Sequence, residues 1–241
     1  MEQKKGNRDP KKITEHIYRV SGPDLTDPRD CASYLLDLGE LVLIDSGAGI
    51  HLDRLVRNIE RAGFDPAKVS TIILTHCHFD HMGGGFRFRE QFGSRLVMHA
   101  LDAALVEAGD QRLTAAFCFN VYLEPYFVDL KVYGEEEQLE IGGNKLTLLH
   151  TPGHTPGSIS VYLNIDGKKV LFAQDIGAPL LKEFDCNPYA WVESVEKLYT
   201  LNADMLCDGH SGAYEPENVV KEYLRYCIQS QYEQGYLPAQ S

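Results

Sequence analysis

The chain has 241 residues, 44% of them hydrophobic, and carries 23 basic against 35 acidic side chains for a formal net charge of −12. That length allows one large domain with a substantial core. The acidic balance argues against nonspecific nucleic-acid binding and against anionic membrane surfaces, and no apolar run approaches the roughly 20 residues of a membrane span.

Residues 1–12 hold Lys4, Lys5, Arg8, Lys11 and Lys12 and almost nothing apolar. No apolar core or small-residue cleavage site follows, so the stretch is expected to be a disordered tail rather than a secretory signal. Residues 13–241 then form a single domain. Cys31, Cys77, Cys118, Cys186, Cys207 and Cys227 are scattered without a Cys-x-x-Cys pair. Without a secretory signal they are expected to be reduced and buried, which implies the cytoplasm.

Ile13–Val20 and Ala32–Leu36 read as strands, separated by turn-rich segments at Ser21–Asp24 and Asp27–Asp30. Leu41–Ile44 is a fully apolar strand ending in Asp45-Ser46-Gly47. Leu52, Leu55, Val56 and Ile59 recur at helical spacing, with Gly63 and Pro66 beyond, and predict an outer helix. The apolar run from Val69 to Leu74 then ends abruptly in Thr75-His76-Cys77-His78-Phe79-Asp80-His81-Met82-Gly83-Gly84. This reads as a strand delivering ligands into a loop. His76 and His78 are two apart, so an extended backbone points both imidazoles the same way. Asp80 and His81 follow in a turn and are free to face a second point. A lone histidine is usually structural, but three with an aspartate in this pattern are metal ligands. Imidazole with carboxylate suits zinc, with iron or manganese as alternatives. Cys77 points the opposite way and fills core.

This pattern resembles the His-x-His-x-Asp-His-x-Gly signature of the metallo-β-lactamase superfamily, and the resemblance runs from about Ile13 to His210. It implies an α+β fold, a four-layer αββα sandwich of two mixed β-sheets with outer helices and a metal site on one edge between the sheets. Asp45-Ser46-Gly47 is similar to the family's strand-then-Asp-x-Gly motif, which implies that Asp45 orients metal-bound histidines. A plain turn residue at a strand end is the alternative.

Phe86–Phe92 is expected to be helical, Leu96–Met98 a short strand followed by a structural His99, and Ala100–Ala108 a helix. Aromatic residues crowd the next stretch, 111–134. Such clusters usually pack, but in the family this segment commonly lies over the cleft. The resemblance therefore implies that some of Phe117, Phe119, Tyr122 and Tyr126 line the substrate pocket or a homodimer contact. A hairpin through Ile141-Gly142-Gly143 leads into His150-Thr151-Pro152-Gly153-His154-Thr155-Pro156-Gly157-Ser158, where two Pro-Gly pairs fix a rigid loop. This is similar to the family's third motif and implies that His154 joins His76 and His78 on the first metal. His150 has no matching role.

Ile159–Ile165 and Lys169–Phe172 form a hairpin whose second strand ends in Ala173-Gln174-Asp175. Asp175 matches the family's metal-bridging aspartate, although Gln174 stands where the family more often has glycine. Asn187-Pro188 starts a helix through Trp191, Val195 and Leu198. The strand Met205–Cys207 leads to Asp208-Gly209-His210-Ser211-Gly212, which resembles the family's Gly-His-x-Gly motif. That implies His210 on the second metal with Asp80 and His81; Asp208 departs from the pattern. Pro216–Gln229 closes the chain as a helix.

The set implied is His76, His78 and His154 on one metal and Asp80, His81 and His210 on the other, with Asp175 between. Three protein ligands and a bridge leave open positions, as catalytic sites do. Water shared by two divalent cations ionises near neutral pH and can attack the carbonyl of a small ester, lactone or thioester. Asp80 would also help pass a proton to the leaving group. His78 in place of Glu argues against flavodiiron enzymes, and the missing secretory signal and His81 argue against a periplasmic β-lactamase. Net acidity argues against a ribonuclease. Only 31 residues follow His210, too few for the helical region that holds glutathione in glyoxalase II. The expected partner is thus a small-molecule substrate, with no nucleic acid and no membrane. A mononuclear iron persulfide dioxygenase is the alternative, although that branch's arginine-bearing loop after the Asp175 strand is not seen. A non-catalytic binding protein is disfavoured by the complete ligand set.

Overall fold

A computed structural model describes residues 8–237. The first sheet follows chain order: β1 (Lys11–Lys12), β2 (Ile17–Arg19), β3 (Tyr34–Asp37), β4 (Leu41–Ile44), β5 (Val69–Ile73), β6 (Arg95–His99) and β7 (Leu130–Val132). The first four strands pair antiparallel, and β4 through β7 pair parallel. Parallel neighbours need crossovers. These are α1 (Leu52–Arg61), then α2 (Phe79–Met82) with α3 (Gly85–Phe92), then α4 (Ala100–Ala108). The second sheet has the spatial order β13-β12-β11-β10-β9-β8. Its strands are β8 (Glu136–Ile141), β9 (Asn144–His150), β10 (Ile159–Ile165), β11 (Lys168–Phe172), β12 (Met205–Cys207) and β13 (Ala213–Tyr214). Helix α5 (Pro188–Thr200) carries the chain from β11 to its parallel neighbour β12, and α6 (Glu217–Glu233) closes the layer.

Period-two alternation explains the four layers. In β4, Leu41 and Leu43 face α1, α3 and α4, whereas Val42 and Ile44 face the second sheet, so both faces are apolar. Between the sheets Ile17, Tyr34 and Leu36 meet Leu148, Val161 and Phe172. Beyond the second sheet, Leu149, Leu171 and Leu206 bury against Trp191, Val195, Leu198 and Leu224 of α5 and α6. Each such side chain removed fully from water contributes about 1.5–3 kcal/mol. These layers are the αββα sandwich expected from the motifs.

Several boundaries differ. The strand expected from Ile13 begins only at Ile17, because the Ile13 and Thr14 amides both donate to Ile17 O in a turn. The second begins at Tyr34, not Ala32. Of the expected tail, residues 1–7 lie outside the described residues, while Lys11 and Lys12 pair with Arg19 and Tyr18. Asp80 and His81 sit in the short helix α2 instead of a turn, and the last helix extends past Gln229 to Glu233. All six cysteines are free, but Cys118 is exposed and Cys186 only half-buried, unlike the burial expected for them. Among the described residues no helix is long and apolar enough to cross a membrane.

Candidate metal centre

Strands β4, β5, β11 and β12 all end at the same edge, so their following loops converge there together with the β9–β10 loop. Backbone bonds lock the loops across the two sheets: Ile159 N donates to Thr75 O at 2.9 Å and Ala32 N to Gly209 O at 2.7 Å. Asp45, at the end of β4, has φ of 58°, and Asp175, just beyond β11, has φ of 57°. Such left-handed aspartates are uncommon and mark strand ends that are turned to aim a side chain. The glycines after His81 are steric. A Cβ on Gly83 would lie 2.6 Å from both Ala48 O and Phe79 O.

Asp45 organises its neighbours. Its Oδ1 accepts Thr75 N at 2.8 Å, and its Oδ2 accepts Thr75 Oγ1 at 2.8 Å, His81 Nδ1 at 2.8 Å and Gln174 Nε2 at 2.9 Å. This contact keeps a hydrogen on Nδ1 and turns Nε2 toward the site. This is the orienting contact expected of Asp45. Gln174 reaches a second acceptor, Ala32 O, at 3.0 Å, so its difference from the family pattern adds a bond across the sheets.

Two donor groups form, and Asp175 belongs to both. In each, the donor atoms lie within 4.8 Å of one another: His76, His78, His154 and Asp175 in one, Asp80, His81, Asp175 and His210 in the other. Asp175 Oδ2 is 3.3 Å from His154 Nε2 and 3.7 Å from His76 Nε2. Its Oδ1 is 3.0 Å from the Nε2 atoms of both His81 and His210. His78 uses its other nitrogen, Nδ1, which lies 2.9 Å from His154 Nε2. Asp80 Oδ2 lies 3.3 Å from His210 Nε2. The expected ligand residues are therefore all brought together.

The donor set fits divalent cations. His76 Nε2 is buried without a hydrogen-bond partner, a costly arrangement that coordination would satisfy. Burial, followed by the neighbouring imidazoles, pushes His76 well below its ordinary range; burial and then His154 push His78 down to about 3. Both rings are neutral and offer lone pairs. Asp175 is held well below the usual carboxylate range: burial opposes ionisation, but His81 and His210 outweigh it. His210 is pushed up to about 10, chiefly by Asp175.

Several supporting residues were not legible as such. Asp102 on α4 is buried and accepts Cys77 N, Thr155 Oγ1 and Gly157 N, joining the first and third ligand loops. Its one sequence signal is an acidic residue among apolar ones in the first turn of that helix. Asp208 turns out to be structural: Oδ1 accepts the amides of His210 and Ser211 at 2.8 Å, and Oδ2 accepts Tyr223 OH at 2.9 Å.

The aromatic segment divides. Phe117 is 54% exposed and lies 6.2 Å from the ring of Phe184, which is itself 5.4 Å from His78. Phe119 packs on Phe79, and Tyr122 is exposed. Tyr126 corrects the expectation of a pocket-lining role. It is buried, its ring stacks on Phe86 and its hydroxyl donates to Met82 O, because the core under α3 needs a large apolar side chain there. His99 and His150 stack on each other at 4.1 Å and belong to neither donor group. A polar cavity of about 910 Å³, lined by His16, Asp37, Asp166 and Lys169, opens at the opposite ends of the strands and has no share in this centre.

A sandwich with imidazole and carboxylate donors at one edge is the architecture of a metal-dependent hydrolase, and residues 26–210 match the family described as the metallo-beta-lactamase superfamily. The chain belongs to that superfamily. It is 33% identical over 129 residues to a probable metallo-hydrolase of Methanocaldococcus jannaschii, covering 54% of this chain and 60% of the relative. It is 27% identical over 192 residues to a hydroxyacylglutathione hydrolase of Haemophilus influenzae, covering 77% of this chain and 86% of the relative. It matches the M. jannaschii relative over less than two thirds of that protein's length. Its fold is similar to a metallo-β-lactamase from Cronobacter sakazakii, with a TM-score of 0.79 at 23% identity over 94% of this chain and 93% of the other. It is similar also to the native FEZ-1 metallo-β-lactamase from Legionella gormanii, with a TM-score of 0.77 at 20% identity over 94% and 95%.

Proposed function

We propose that the protein hydrolyses the carbonyl bond of a small ester, lactone or thioester with two divalent cations, zinc foremost, with iron or manganese as alternatives. His76, His78 and His154 would hold one cation and Asp80, His81 and His210 the other, with Asp175 within reach of both. The observation that carries this is the division of Asp175, one oxygen facing each donor group. Two such cations supply Lewis acidity and a water-derived nucleophile near neutral pH.

The chain's own residues do the rest. Asp45 fixes the tautomer of His81 through the 2.8 Å contact to Nδ1. Asp80, partly exposed beside His210 and kept ionised by His81 and His210 against the opposing effect of burial, would take up the proton released by the attacking water and pass it to the departing group. The imidazoles of His76, His78 and His81 are buried and form the floor of the site. Relatives named hydroxyacylglutathione hydrolase and N-acyl homoserine lactonase support thioester and lactone substrates respectively. Free cysteines accord with a cytoplasmic enzyme.

Elemental analysis of protein purified without added metal, followed by ester, lactone and thioester panels, tests the reading. About two cations per chain with hydrolysis is the expected result. One iron per chain with oxygen uptake would replace it by the persulfide dioxygenase alternative.

A further inference from the structure

We propose that Phe117 and Phe184 form an apolar clasp that receives the uncharged acyl group of the substrate, with Arg112 as the positioning residue that holds the clasp together. The proposal rests on the hydrolase reading for the word acyl, but the clasp itself is a binding site that can be measured without turnover.

The two rings come from distant segments and meet at the edge of the first donor group. Phe184 lies edge-on to His78 at 5.4 Å, and Phe117 lies 6.2 Å from Phe184. Phe117 leaves 54% of its surface in water, an unfavourable placement for a ring that has an apolar interior near by. Each ring sits on a single 3₁₀ turn, Ala116–Phe119 and Lys182–Phe184. Those turns are bounded by left-handed residues: Ala115 at φ 54°, Asn120 at 55° and Asp185 at 57°. Such conformations persist where surrounding contacts hold them, and they recur at binding sites.

The contacts that hold them are specific. Arg112 Nη1 donates to Glu183 O at 2.7 Å and to Asp185 Oδ1 at 3.1 Å, and Nη2 donates to Asp185 Oδ2 at 2.7 Å. This forked pairing fixes direction as well as distance, which a lysine could not reproduce. Each segment is also tied to a ligand loop. Phe79 N donates to Thr114 O at 2.9 Å, and Cys186 Sγ donates to His154 O at 3.0 Å. The clasp is therefore registered to the donor groups from both sides.

Its chemistry selects the occupant. Two phenyl faces offer no hydrogen bond, and the Arg112 charge is engaged by Asp185. Lys182 balances Glu183 in the adjoining turn as Arg112 balances Asp185, so the clasp offers no net positive charge to an anionic acyl group, and the chain as a whole carries −12. The opposite rim, where the His210 side chain is 42% exposed, is open and leaves space for the departing group. An aliphatic or aryl acyl chain without charge fits this arrangement.

The test is isothermal titration of zinc-loaded protein with straight-chain hydroxamates from acetohydroxamate to octanohydroxamate. Affinity is expected to rise about threefold per methylene over the first few carbons. In Phe184→Ala and Phe117→Ala that gain per methylene is expected to vanish. Arg112→Gln should flatten it while Arg112→Lys restores only part, with circular dichroism confirming the fold. A terminal carboxylate on the chain should weaken binding. In turnover of acyl thioesters the loss in these variants should fall on KM rather than on kcat. An absent chain-length dependence in the wild type, or an equal dependence in Phe184→Ala, would overturn the clasp. A preserved dependence without hydrolysis of any ester would instead leave the clasp standing and remove the hydrolase reading.

Discussion

Asp102 accepts the amide of Gly157 at 2.6 Å and so joins helix α4 to the loop that carries His154. The same carboxylate accepts Cys77 N at 2.8 Å and Thr155 Oγ1 at 2.7 Å, bridging to the loop that carries His76 and His78. Three ligands of one donor group thus depend on one carboxylate, whose burial pushes its pKa up. In Asp102→Asn one oxygen becomes an NH₂ that faces a donor. A hydrogen bond to a charged group is lost and a buried N–H is orphaned, at a cost of about 2–3 kcal/mol. Urea denaturation of metal-free protein should show this loss, and zinc titration should show weaker binding. A change in stability below about 0.5 kcal/mol would show that the staple is redundant.

Gly153, before His154, has φ of 133° and lies against α5. A methyl there would run into the backbone and Cβ of Trp191, which is buried and cannot withdraw. Gly153→Ala therefore carries both backbone strain and overpacking, about 2–4 kcal/mol together. Differential scanning calorimetry should show the fall in Tm. An unchanged Tm would mean that α5 moves freely against the loop.

The donor residues that the structure brings together were legible because a metal-binding pattern fixes residue types within a few positions of one another. The His76–His81 cluster, the Pro-Gly frame of His154 and the Asp175 strand end are all local patterns. Fully apolar β4 likewise announced a strand covered on both faces. The supporting residues were not legible, because their roles arise between loops far apart in the chain. Asp102 reads as an ordinary helix-start acid until Gly157 is brought to it. Phe184 lies in a stretch without periodicity, and nothing local distinguishes buried Tyr126 from exposed Phe117. Composition alone could not tell which face of an aromatic segment would meet the core.

His16 and Asp166 form an ion pair at 2.5 Å across the far end of the sheets. Hydrogen bonding to Asp166 raises His16 above 6.5. That contribution is full below about 6.5 and is lost as pH rises through the raised folded-state value. Asp166 is lowered from 3.8, against the desolvation that burial imposes, by bonds from Thr14 and His16. Its contribution is present above about 3.8 and is lost as pH falls through the lowered value. The pair therefore stabilises most between these limits. Asp166→Asn, which tolerates the φ of 53° there, should lower Tm more at pH 5.5 than at pH 8.5. Equal losses at both pH values would show that the pair does not titrate with folding.

The two oxygens of Asp175 face different donor groups, and the proposed bridge implies an asymmetric set of variants. Asp175→Ala should reduce occupancy of both cations, whereas His81→Ala or His210→Ala should empty mainly one. His99→Ala and His150→Ala, outside both donor groups, should keep wild-type metal content. Elemental analysis of the dialysed proteins reads all of these. Full metal content in Asp175→Ala would remove the bridging assignment.

Tyr223 on α6 acts on His210 at one remove. Its hydroxyl donates to Asp208 Oδ2 at 2.9 Å, while Asp208 Oδ1 accepts the His210 and Ser211 amides and the Ser211 hydroxyl, each at 2.8 Å. Tyr34 OH donates to Asp208 O at 2.8 Å from the first sheet. Asp208 is buried, so removing one donor leaves its second oxygen underbonded. Tyr223→Phe keeps the ring and its stack on Tyr214 at 3.9 Å but deletes the hydroxyl. The cost should be about 1–2 kcal/mol of stability, with a loosened 208–212 loop. His210 would then be held less firmly than His81, which Asp45 fixes independently. Competition between zinc and a chromophoric chelator should show weaker binding of one cation only, the one that uses His210. Equal weakening of both would mean that α6 supports the whole edge rather than this loop.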